Sequence, residues 1–169
     1  STPTSPRATV LSAGEQVSDL HGEQELDLLD RRISSWLQGF RERDNVILAI
    51  DRSGDHPHRW YVRMKGEEKE FTTVWITLGQ RTLRYETYVM PAPEENEGLL
   101  YENLLRRNEN LVGAHFSIGD EDAVFLRGEM AVGSLTAEEL DRAIGTLFAT
   151  VETVFHSLLR IGFASRFED

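Results

Sequence analysis

From Glu23 onward the apolar positions follow two rhythms, one of about 3.6 residues and one of two, and the switches between them mark out the elements. Leu26, Leu29, Ile33, Trp36, Leu37 and Phe40 share one helical face. Glu23, Glu25 and Asp27 stand where the helix dipole favours acids, and Gly39 with Arg41-Glu42-Arg43-Asp44 closes the segment. Period two then takes over. Val46, Leu48 and Ile50 alternate, followed by Trp60, Val62 and Met64, by Val74, Ile76 and Leu78, and by Leu83, Tyr85 and Val89. Asp51-Arg52-Ser53-Gly54-Asp55 and Gly66-Glu67-Glu68-Lys69 supply turns, and Gly79-Gln80 predicts a type II′ hairpin between the last two strands. Pro91-Ala92-Pro93 breaks the sheet. A short helix carrying Leu100, Leu104 and Leu105 comes next, with Glu94, Glu95 and Glu97 before it and Arg106 and Arg107 at its end. Two more strands hold Val112, Ala114, Phe116 and Ile118, then Val124, Leu126 and Met130, joined by Gly119-Asp120-Glu121-Asp122. Thr136 and Glu139 form a capping box that opens a long helix running from Leu140 to Leu159, with Gly162 as its expected C′ stop.

The predicted order is α-β-β-β-β-α-β-β-α, an α+β architecture in which helices cover one face of an antiparallel sheet. Residues 1–22, rich in Ser, Thr, Pro, Gly and Ala without periodicity, read as a disordered tail, 23–164 as one domain and 165–169 as a C-terminal tail. If Val46, Leu48, Trp60, Val62, Val74, Ile76, Leu83, Phe116 and Leu126 face the helices, their neighbours face away. That second face carries Ile47, Tyr61, Arg63, Trp75, Arg84, Tyr88, His115, Phe125 and Arg127. A Gly79-Gln80 turn sets Trp75 opposite Arg84 and Phe71 opposite Tyr88, so that an Arg would lie over an indole. Tyr61, Arg63, Trp75, Arg84, Tyr88, His115 and Arg127 are the candidate binding residues, an aromatic and Arg-rich set. The alternative is a solvated face with cross-strand Arg–Glu pairs through Glu86 and Glu129. Trp36 and Phe155 are the expected core anchors, and Trp75 is not.

Charge sharpens this picture. With 29 acidic and 18 basic residues the chain carries −11, which disfavours nucleic-acid and anionic-membrane partners unless positive charge is segregated. No cysteine is present, which removes disulfides, thiolate metal sites and cysteine nucleophiles. Together with the lack of a basic-apolar leader or a long apolar run, that makes the cytoplasm the expected compartment.

Catalytic and metal chemistry find little support. His56-Pro57-His58 near Asp51 and Asp55 matches no metal-ligand spacing, and turn polarity explains it. The Asp51–Asp55 run resembles a calcium loop, but its Gly is misplaced and position twelve is Val62. There is no nucleophile elbow, phosphate loop or dinucleotide fingerprint. His115 and His156 read as structural histidines. No cofactor is called for.

The Pro91-Ala92-Pro93-Glu94-Glu95-Asn96 junction, Leu104-Leu105-Arg106-Arg107-Asn108, the Leu135-Thr136-Ala137-Glu138-Glu139-Leu140-Asp141-Arg142 helix start and Ile161-Gly162-Phe163-Ala164 resemble the YbjN family. The likeness runs in order from about Glu23 to Ala164. It implies a fold similar to type III secretion chaperones, which are small acidic dimers that hold segments of other proteins. It implies no enzyme activity and supplies no catalytic residues.

The leading expectation is therefore a non-enzymatic, chaperone-like or regulatory domain that binds another protein and forms a homodimer. The dimer would form through the second sheet face or, as the resemblance implies, the Leu99–Arg107 helix. The rival is a small-molecule sensor or an unrecognised enzyme with a pocket near Arg84, Tyr88 and His115. A deep pocket with convergent polar groups favours the rival, and a broad, shallow patch favours the first.

Overall fold

The computed structural model describes residues 22–168, so residues 1–21 of the expected N-terminal tail lie outside the described residues. The order of elements is the predicted one: α1 (Glu23–Arg43), β1 (Ile47–Arg52), β2 (Arg59–Lys65), β3 (Phe71–Leu78), β4 (Thr82–Met90), α2 (Glu97–Asn108), β5 (His115–Ile118), β6 (Val124–Ala131) and α3 (Ala137–Gly162). The strands form one antiparallel sheet in the order β1-β2-β3-β4-β6-β5. The expected α+β class is the one observed.

Period explains the layers. Leu140, Ile144, Leu147, Val151, Val154 and Leu158 recur every three or four residues along α3 and are buried against the sheet. By length and composition α3 is apolar enough to cross a membrane, but its apolar stripe belongs to this core. Thr136 Oγ1 accepts the Glu139 amide at 3.1 Å, while the Glu139 carboxylate turns outward to Arg142 and leaves the capping box half-formed. In α1, Leu26, Ile33, Leu37 and Phe40 pack toward β1, and in α2 Leu100 and Leu104 complete the same cluster. Trp36 and Phe155 are only partly buried, at the margins of their stripes. The principal aromatic anchor is instead Trp60, 1% exposed, whose indole N–H donates to Ser34 Oγ at 3.0 Å.

Several local expectations need correction. A bulge in β1 breaks the alternation: Ile47 pairs with Met64, but Ala49 pairs with Arg63 and Ile50 with Val62. Ile47 is therefore buried and Leu48 exposed, the reverse of the expected faces. The β3–β4 turn closes on Gly79 and Thr82, leaving Gln80 and Arg81 at its centre. Gly79 is not among the described glycines at positive φ, so a type II′ turn does not form. The register moves by two, which keeps the faces but sets Trp75 opposite Glu86 and Thr77 opposite Arg84. Gly162 is the last residue of α3, where a Cβ would press on Met90 and Pro93. Its carbonyl accepts the Glu94 and Glu95 amides, and Glu95 in turn binds Ser165 in the 3-10 turn Ala164–Phe167.

Candidate functional site

The sheet face away from the helices is built in rows across the strands. One row runs Asp51, Tyr61, Trp75, Glu86, Arg127, His115 from β1 to β5, and beside it Arg59, Thr77, Arg84 and Glu129 align. On the other side Arg63 faces Thr73, while Tyr88 faces Phe125 and Phe125 faces Ser117. All seven candidate residues lie on this face. They do not converge on one point, because β2 and β5 are four strand spacings apart, about 19 Å at ~4.8 Å each.

At the β2–β4 end the face is aromatic. Tyr61 meets Trp75 edge-on, with centroids 5.7 Å apart at 77°, and Tyr88 meets Phe125 in the same way at 5.8 Å and 86°. Trp75 and Tyr88 remain 37% and 39% exposed. Tyr61, Phe71, Thr73, Trp75 and Tyr88 surround an open cavity of about 420 Å³, closed on one side by Lys69. The Lys69 ammonium donates to the Tyr88 carbonyl at 2.9 Å and lies 5.3 Å from the Tyr88 ring and 5.8 Å from that of Phe155. Burial pushes its pKa below the usual lysine value. Burial also raises the Tyr88 hydroxyl pKa, with the Glu121 charge adding to it.

The sequence marks Lys69 only as a turn residue, and its placement depends on α3. The Glu152 carboxylate accepts the amides of Glu67 and Glu68, at 3.2 and 2.8 Å, and folds the β2–β3 turn back onto the helix. Gly66 is required there, since a Cβ would collide with that carboxylate and with the Lys69 carbonyl. His156 pairs with Glu68 at 3.1 Å and fastens the same turn.

The centre of the face is a charge cluster. Glu86, only 8% exposed, accepts Arg127 Nε at 3.0 Å and stands 3.5 Å from Arg84 Nε. Arg127 also donates to Ser117 Oγ and covers the Phe125 ring at 4.5 Å, which leaves Phe125 buried despite its side of the sheet. The expected Arg84–Trp75 stacking is absent, because the register puts Glu86 opposite Trp75 and Arg84 opposite Thr77. Arg63 lies over Phe71 at 4.2 Å instead. His115 lies beside Arg127 on edge strand β5, two strands from Arg84 and Tyr88 on β4, and neither Arg84 nor His115 lines the cavity, so the three do not assemble the pocket that a small-molecule reading requires. Among the described residues no group of three or more His, Cys, Asp or Glu could hold a metal ion. His58 lies instead beside α1, its ring 2.6 Å from Asp30, while the His56 ring accepts the His58 amide.

Similarities to known proteins agree with this architecture. The YbjN family model, described as "Putative bacterial sensory transduction regulator", matches residues 29–160. The chain is 33% identical over 114 residues to the uncharacterized protein Rv0487 of Mycobacterium tuberculosis, covering 68% of this chain and 62% of that protein. It is 31% identical over 107 residues to the uncharacterized protein ML2442 of Mycobacterium leprae, covering 63% and 58%. It thus spans about three fifths of the length of these relatives. Among solved structures, it resembles a chain in the heterodimeric ExoU-SpcU complex from the type III secretion system of Pseudomonas aeruginosa. The TM-score is 0.51 at 15% identity, over 73% of this chain and 94% of that one. A chain of the ExsC-ExsE complex gives 0.51 at 16%, over 77% and 96%. At such identities the likeness is one of fold, and it is the type III secretion chaperone-like fold that the sequence implied. With the family model matching most of its length, the chain belongs to the YbjN family.

Proposed function

We propose that this chain is a non-catalytic protein-binding domain, chaperone-like or regulatory, that engages its partner through the open sheet face. The observation that carries this reading is the gathering of exposed aromatic and basic side chains on the uncovered face of an acidic chain. A contiguous surface of that kind is typical of association sites and costly to leave in water. The fold likeness adds support, since both similar structures are of protein–protein complexes. The cavity is open to solvent and confined to β2, β3 and β4, away from Arg84 and His115, so it is not a deep pocket with convergent polar groups.

Self-association belongs to the same reading but to a different surface. Leu99 and Leu105 on α2 are 56% and 69% exposed, and Ile118 on β5, 49% exposed, lines a shallow groove with Leu105. A second copy docking there would leave the sheet face free.

A photocrosslinking amino acid placed at position 75 tests the partner site, with position 28, exposed on α1, as control. The expected result is a discrete adduct with another protein from 75 and none from 28. Equal adducts from both positions, or none from 75, would overturn the assignment.

A further inference from the structure

Resting on the reading of the sheet face as a protein-binding surface, we propose the chemistry of what binds there: a short acidic segment carrying one aromatic or large aliphatic side chain. The apolar group enters the cavity between Tyr61, Trp75 and Tyr88, and a flanking carboxylate meets the Lys69 ammonium and the Arg63 guanidinium.

Charge complementarity carries the first half. The strands of the face display Arg59, Arg63, Lys65, Arg84 and Arg127 against Asp51, Glu86 and Glu129, with the Glu121 charge reaching Tyr88 from the β5–β6 loop, within a chain whose net charge is −11. The pairing is uneven along it. Glu86 is taken up by Arg127 and Arg84, and Glu129 stands opposite Arg84. Among the described residues no carboxylate lies within ion-pairing distance of Arg63, Lys65 or Lys69. Lys69 lines the aromatic cavity, and Arg63 and Lys65 flank its Phe71 wall, one over the ring and the other opposite it across the strands. Lys69 is partly desolvated there; among the described residues its ammonium meets the Tyr88 carbonyl and two rings but pairs with no carboxylate, so an incoming anion supplies the counter-charge it lacks.

The walls carry the second half. A volume of about 420 Å³ lies within the ~300–1,000 Å³ range of small-ligand sites, enough for one large side chain. The rings are not laid out as stacking platforms. Arg63 covers Phe71, Lys69 lies over Tyr88, and the edge of one ring meets Tyr61 or Trp75. Single-stranded nucleic acid needs free ring faces in series. A segment that inserts one apolar side chain needs only the cavity.

The test is an NMR titration of the full chain with an acetylated, amidated eight-residue peptide holding one Trp between Glu residues in a Gly/Ser background. Parallel titrations use the same peptide with Lys for Glu, with Ala for Trp, and an oligothymidylate of equal length. The Glu/Trp peptide should shift the Trp75 indole signal, and both altered peptides should bind at least about tenfold more weakly. Lys69→Gln should weaken it about tenfold with thermal unfolding unchanged, and Arg63→Gln, at an exposed position, should weaken it too if Lys69→Gln disturbs the fold. Equal or tighter binding of the Lys peptide or the oligothymidylate would overturn the proposal, as would no binding of the Glu/Trp peptide or affinity indifferent to both substitutions. Protein adducts from position 75 without the charge preference would sink this proposal alone, whereas their absence sinks the reading beneath it.

Discussion

Removing the Asp30 carboxylate tests how α1 is fastened to the β1–β2 hairpin. Its oxygens accept Arg52 Nη1 and Nη2 at 2.9 and 2.7 Å, and His58 Nδ1 stands 2.6 Å away. Arg52 continues to Ser34 Oγ and the Pro57 carbonyl and lies 4.9 Å from the Trp60 ring. The Asp30 side chain is 13% exposed, so its partners lose a mostly desolvated counter-charge, but Arg52 at 46% can rehydrate. Discounting for that exposure, Asp30→Ala should cost about 2–3 kcal/mol in urea unfolding. Asp27→Ala, removing a carboxylate 3.9 Å from His58 and 58% exposed, should cost under ~0.5 kcal/mol. The pH dependence has a definite sign. Burial raises the Asp30 pKa, but the hydrogen bonds and charges of Arg52 and His58 outweigh it and hold the pKa below the ordinary 3.8. A depressed carboxyl contributes stability that is fully present above 3.8 and lost as pH falls through the lower folded value. The stability gap between wild type and Asp30→Asn should therefore close on acidification in that window. An Asp30→Ala protein within 0.5 kcal/mol (about one exposed ion pair) of wild type would refute the reasoning.

Trp60→Ala should cost ~3–5 kcal/mol, whereas Trp75→Ala should cost under ~1 kcal/mol, as calorimetry can check; equal losses would mean that the second face is buried. Sedimentation equilibrium should find a dimer that Leu105→Glu dissociates and Trp75→Glu does not. Leu104, 4% exposed, is a core residue and no probe of that surface. Deleting residues 1–21 should leave the melting temperature nearly unchanged, since that stretch holds few large apolar side chains.

Period-two and helical patterning made the element order and the faces of β2 to β4 legible, because there apolar and polar residues alternate cleanly. In β1 they do not: Val46-Ile47-Leu48-Ala49-Ile50 is apolar throughout, so either parity fits and the bulge left no trace. The turn at Gly79 was misplaced by one residue, since a Gly suits either the centre or the flank of a tight turn. Tyr61, Trp75 and Tyr88 were recognised from their side of the sheet, whereas Lys69 was not. Its role depends on Glu152, more than 80 residues away, folding a turn against α3. The Asp30–Arg52–His58 network is likewise non-local, with its acid on a helix that precedes the basic turn.

We propose above all that the open sheet face holds another protein. Quantitative mass spectrometry of proteins retained from native lysate by wild type, Leu105→Glu and Trp75→Glu, at matched thermal stability, puts that to the test. The account predicts a partner retained by wild type, kept by Leu105→Glu and lost from Trp75→Glu. The same partner retained equally by Trp75→Glu would contradict it.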